Sequence, residues 1–172
     1  EFEENINKFN VIKLDLNGLF QNAVDKNLVI EEINETVRED FLLQFPLSSI
    51  NERDNIAKCI QKVYDKTGEK FVIIIDEYDV LVRENVSDIL FEKYLGFLNG
   101  LFKNSTLRPA IALAYITGII PIVRDKVQSK LNEFDEYTMT DAGQFAAHIG
   151  FTREETKQLC EERGRDFAEY ER

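Results

Sequence analysis

Residues 11–16 (VIKLDL) alternate apolar and polar positions, the period of a half-buried strand, and Asn17–Gly18 is expected to stop it. From about 28 to 43, Ile30, Ile33, Val37 and Phe41 recur at helical spacing, and Pro46 closes that helix's neighbourhood. Ser49 and Glu52 are spaced as a capping box, so a helix is expected to start there. Its inner face is Ile56, Cys59, Ile60, Val63 and Tyr64, and Gly68 suits a left-handed cap at its end. Cys59 on that stripe reads as a packed thiol, not a nucleophile. Residues 71–75 (FVIII) form an unbroken apolar run, the signature of a strand buried on both faces. Ser87 is placed to cap a helix striped by Phe91, Tyr94, Leu95, Leu98 and Phe102. Residues 110–116 (AIALAYI) predict a second fully buried strand, and Pro121 suits the first turn of a further helix. A short strand is expected around 136–139. Asp141 with Gln144, and Thr152 with Glu155, then mark two short helices separated by Gly150.

Strand, helices, buried strand, helix, buried strand is the order of an α/β three-layer sandwich with a mainly parallel sheet. No repeat or linker divides the chain, so one domain is expected, with a core at about 10–140 followed by helices over 141–172. Both apolar runs are expected inside the sheet. Ligands of such sheets sit at the carboxyl ends of the strands, which is where chemistry should be sought.

Composition narrows the function classes. The 172 residues hold 32 acidic and 21 basic side chains, a net charge of −11, with 44% hydrophobic and 31% charged residues. A chain of this size buries roughly 70% of its unfolded surface as one domain. The acidic balance argues against nucleic-acid coats and anionic membranes, which need a positive field. The apolar runs are too short to span a bilayer, and two distant cysteines, Cys59 and Cys160, suit a reduced, cytoplasmic protein. The chain opens on Glu1 and its only methionine is Met139, so it is expected to be a piece of a longer protein.

At the carboxyl end of the first apolar run stands Asp76–Glu77–Tyr78–Asp79. An apolar strand followed by Asp–Glu is the pattern of a Walker B segment. A rigid strand fixes Asp76, whose carboxylate can hold Mg²⁺ through its waters, and Glu77 can polarise a water for attack on a γ-phosphate. The competing reading is a strand that ends in solvated acids. The segments FVIIIDEYDVLV, YITGIIPIVRD, SKLNEF and IGFTREETKQLCEERG together resemble the bacterial AAA-ATPase-like family, over most of residues 10–170 and in the expected order. Members of that family commonly join a P-loop ATPase-like region to a C-terminal nuclease-like domain. The resemblance implies a metal role for Asp76, a water-activating role for Glu77, and a γ-phosphate sensor at Thr117. Thr117 equally suits a strand-end threonine satisfying local backbone. It also implies an approach to phosphate by Arg124, against the plainer reading of a solvated helical arginine.

The chain departs from the family pattern in one respect that matters: it contains no G-x-x-x-x-G-K-[ST]. The amide cradle and phosphate-binding lysine are therefore missing. Mg²⁺ and ATP are expected in the complete protein, with neither held tightly by these residues. The resemblance also implies that the strand leading into the missing loop is absent, leaving 111–116 without a neighbour on one side, so either self-association or a strand pairing foreign to the family is expected there. Two other classes stay open: a non-catalytic interaction or scaffold module, and a metal-dependent nuclease. The nuclease has little support, because no lysine or histidine accompanies the acids and His148 reads as structural or surface-facing.

Overall fold

Three parallel strands in the order β1-β2-β3 organise the computed structural model, which describes residues 2–120, 134–148 and 150–170. A short helix α1 (Phe2–Asn5) precedes β1 (Asn10–Asp15), and α2 (Leu16–Asn22), α3 (Val29–Gln44) and α4 (Ile56–Thr67) lead to β2 (Phe71–Asp76). One turn of helix, α5 (Val80–Arg83), and α6 (Asp88–Phe102) then lead to β3 (Ile111–Ile116). The fold is α/β with a parallel sheet.

The register sets what each face carries. Ile12 pairs with Ile73 and Leu14 with Ile75, while Ile73 faces Ala114 and Ile75 faces Ile116. Ile12, Leu14, Phe71, Ile73 and Ile75 thus share one face, and all are buried with the apolar sides of α3, α4 and α6. The Phe41 ring of α3 stacks on Phe71 at 5.6 Å between centroids. Sequential parallel strands joined by right-handed crossovers bring every connecting helix to the same face. Two layers of the expected three are therefore described, the sheet and one helical layer.

The opposite face corrects the expectation that residues 110–116 are buried on both sides. Val11, Leu113 and Tyr115 lie there 62%, 58% and 56% exposed, beside half-buried Val72 and Ile74. Among the described residues only β2 is interior, and β3 is an edge. The register slips between Phe71 and Val72, so Ala112 has no partner position.

Most helix signals are realised. The Ser87 hydroxyl accepts from the Leu90 amide, and Gly68 takes φ +73° behind α4. The capping box expected at Ser49 and Glu52 is not used. Asn55 caps α4 instead, accepting from the Lys58 amide. The preceding turn is held by Asp54, which is 6% exposed and accepts from Asn51 N and Lys62 Nζ. Burial alone would raise the Asp54 carboxyl, but the bonds from Lys62 and Asn51 hold it below the usual carboxylate range. On α6 the innermost positions are Leu90, Tyr94, Leu95, Leu98 and Leu101, with Phe91 and Phe102 only partly covered. Gly18 does not stop the chain after β1. The Asp15 carboxylate accepts from the Gly18 amide and starts α2 at once.

The chain divides into two compact units, residues 1–134 and 135–172. In the second unit, Thr138 and Asp141 exchange backbone hydrogen bonds in a tight turn, so 136–139 is not the strand expected there. A 3-10 helix covers Gly143–His148. It is followed by α7 (Arg153–Glu162), whose Thr152–Glu155 capping box has both of its bonds. His148 is exposed. Among the described residues, no helix is long and apolar enough to cross a membrane. The helix expected from Pro121 lies outside the described residues.

Candidate functional site

The ends of β2 and β3 are tied together by side chains. Thr117, the residue after β3, donates its hydroxyl proton to Asp76 Oδ1 at the end of β2. Its amide continues the ladder to Ile75 O at 2.9 Å, and its carbonyl accepts from Tyr78 N at 2.9 Å. The Glu77 amide reaches the same hydroxyl at 3.4 Å. Asp76, Glu77 and Thr117 are therefore brought together at the strand ends. Arg124 lies outside the described residues.

Glu77 has φ +54°, the left-handed region that a residue with a Cβ enters at a cost of about 1–2 kcal/mol. Such a conformation persists only where its surroundings dictate it. Here the Tyr78 amide and carbonyl are both engaged, the first by Thr117 O and the second by the buried Tyr94 hydroxyl. The chain must turn at Glu77 to satisfy both.

Two residues to which the sequence assigned no role, Asp79 and Arg83, complete the arrangement. Asp79 is 1% exposed, and its Oδ2 accepts from the amides of Ile119 (3.2 Å) and Ile120 (2.9 Å). Arg83 on α5 sits 3.3 Å from that oxygen through Nε and pairs with Glu77 Oε2 through Nη2. The Asp79–Arg83 spacing of four is a helical ion-pair signal and was readable. The reach to Ile119 and Ile120 was not. Gly118 is required in this turn: a Cβ there would stand 2.5 Å from the Tyr78 ring and 2.8 Å from Asp79 Oδ1.

The donor set suits Mg²⁺ in a restricted sense. A strand-end carboxylate beside a hydroxyl matches an ion that keeps several waters and takes one or two protein oxygens. Among the described residues, no group of three or more His, Cys, Asp or Glu is placed to hold a metal by itself. The residues do not fit the phosphates of a nucleotide, since the glycine-rich loop and its lysine are absent from the sequence. Cys59 is fully buried, and burial, reinforced by the Asp54 charge, pushes its thiol up to about 11, as befits a packed side chain. An open cleft of about 320 Å³ between α3, α4 and α6 includes none of the strand-end residues in its lining.

Fold and site together define an α/β protein whose polar centre lies at the carboxyl ends of a parallel sheet. Residues 1–128 match the family model described as "Predicted AAA-ATPase", and the chain belongs to this AAA-ATPase-like family. No curated protein and no solved structure matches the chain.

Proposed function

We propose that these 172 residues supply the Walker B half of a Mg²⁺-dependent, cytoplasmic ATPase, with the phosphate-binding loop contributed by sequence outside them. The observation that carries this reading is the hydrogen bond from Thr117 to Asp76. It fixes one carboxylate oxygen of Asp76 and leaves the other for a metal-bound water. Mg²⁺, when bound, neutralises charge on the phosphate oxygens. Glu77, one residue on and turned by its left-handed backbone, accepts a proton from the attacking water. Thr117 acts first by orienting Asp76, and Arg124 remains the candidate for a phosphate contact.

The metal reading is testable in this chain. Mn²⁺, used in place of Mg²⁺ at millimolar concentration, should broaden the amide signals of Asp76, Glu77 and Thr117 ahead of all others. Asp76→Asn should abolish that effect. Broadening that ignores Asp76→Asn removes the metal from this site.

A second reading, an interaction module, is favoured by the uncovered apolar face of Val11, Leu113 and Tyr115 and by the edge strand β3. The edge of β1 carries Lys13 and Asp15, charges of the kind that discourage strand pairing, whereas Ile111–Ile116 has none. Under this reading a second copy pairs along β3, and sedimentation velocity should show dimers that grow with concentration. Leu113→Lys should disperse them. A monomer at all concentrations contradicts the pairing.

A further inference from the structure

Asp79 occupies the N-cap position of α5 yet makes no capping bond to that helix. An aspartate there ordinarily accepts from amides one turn ahead. Its Oδ2 is instead committed to a turn about forty residues later, at Ile119 and Ile120. Desolvating a carboxylate costs several kcal/mol unless donors compensate, so such a placement is not incidental. Two amides donate to Oδ2 and Arg83 Nε forms an ion pair with it at 3.3 Å, while among the described residues Oδ1 has no hydrogen-bond partner and faces Gly118. Tyr78 closes the same turn from its other side, donating its hydroxyl to Ile120 O.

α5 is a single turn, and that turn returns Arg83 over Asp79, its i−4 neighbour. The guanidinium is planar and rigid, so clamping Nε also aims Nη2. Nη2 holds Glu77. A continuous path therefore runs from the amides after β3, through one buried carboxylate and one guanidinium, to the carboxylate of Glu77.

We propose that Asp79 is the positioning residue of the strand-end site. It ties the Thr117–Ile120 turn to the orientation of Glu77 through Arg83, so that displacement of the turn is transmitted to Glu77. The proposal rests on the preceding reading only in taking Glu77 as the residue whose orientation matters for water activation. The two arms are separable by substitution. Asp79→Ala removes both. Asp79→Asn keeps an oxygen for the two amides and loses the ion pair, and Arg83→Gln cuts the Glu77 arm alone.

The test is nuclear magnetic resonance on the full 172-residue chain, reading amide hydrogen exchange at Ile119 and Ile120 and side-chain relaxation at Glu77. Asp79→Ala should accelerate exchange at both amides by about tenfold or more and should mobilise Glu77. Asp79→Asn and Arg83→Gln should resemble each other, with Glu77 mobilised and the amides protected to within about threefold of the unsubstituted chain. A residue that merely filled space would not separate the arms in this way. Glu77 as ordered in Asp79→Asn and Arg83→Gln as in the unsubstituted chain overturns the proposal. These two variants decide the matter even where Asp79→Ala fails to fold. Mn²⁺ added to the same samples reports separately on the metal reading: no broadening at Asp76 removes that reading and leaves the result of the two arms standing.

Discussion

Glu77 combines a strained backbone with an ion-paired carboxylate, and the two can be told apart. Glu77→Ala and Glu77→Gly both lose the pair with Arg83, which is half-exposed and contributes about 1 kcal/mol at most. Only glycine relieves the left-handed φ. Glu77→Gly should therefore be more stable than Glu77→Ala by about 1 kcal/mol in urea denaturation, the left-handed penalty less glycine's greater chain entropy. Equal stabilities would mean that the backbone at 77 is not left-handed. At this scale the placement of Asp76, Glu77 and Thr117 beside one another was legible, because each follows an apolar run that ends as a strand. The sequence was mute on the bonds from Ile119 and Ile120 to Asp79, because hydrogen bonds to amides about forty residues away leave no local pattern.

Helix α6 shows what an element can carry against its own propensity. Gly96 and Gly100 stand inside it on one face, lining the cleft toward α3 and α4, and a Cβ at either would meet nothing within 4 Å. Glycine in a helix interior is less favourable than alanine by about 0.8–1 kcal/mol. Gly96→Ala and Gly100→Ala should each raise the urea midpoint by a corresponding amount, and a fall at either site would show that the helix is more tightly packed there than described. Elements with strong periodicity were legible: α3 begins and ends within a residue of its apolar spacing, and α4 ends at its glycine signal, whereas the α4 start was displaced. That start moved to Asn55 because buried Asp54, with Lys62, organises the preceding turn. Helix α2 was hidden by Gly18, which looked like a stop and is the amide that Asp15 caps. The exposure of β3 was illegible for another reason. AIALAYI records what a strand can bury, whereas its burial depends on which elements lie against it.

Across the whole molecule, family membership over residues 1–128 and the parallel sheet agree, and the strand-end site lies where such sheets hold their chemistry. The acidic net charge of −11 and the missing phosphate loop make tight nucleotide binding by these residues alone physically unfavourable. Among the described residues Glu77 and Asp79 share one guanidinium, that of Arg83, with Asp76 close by in sequence, so a polyphosphate approaching without Mg²⁺ meets net repulsion. Under the proposed function, chemistry at this centre needs a phosphate-binding loop that these residues lack. The most direct measurement is ATP binding and single-turnover hydrolysis by the complete protein carrying Glu77→Gln. The account predicts that binding is retained while hydrolysis slows by about 10²-fold or more, the usual contribution of a general base. Hydrolysis at the unsubstituted rate would contradict it.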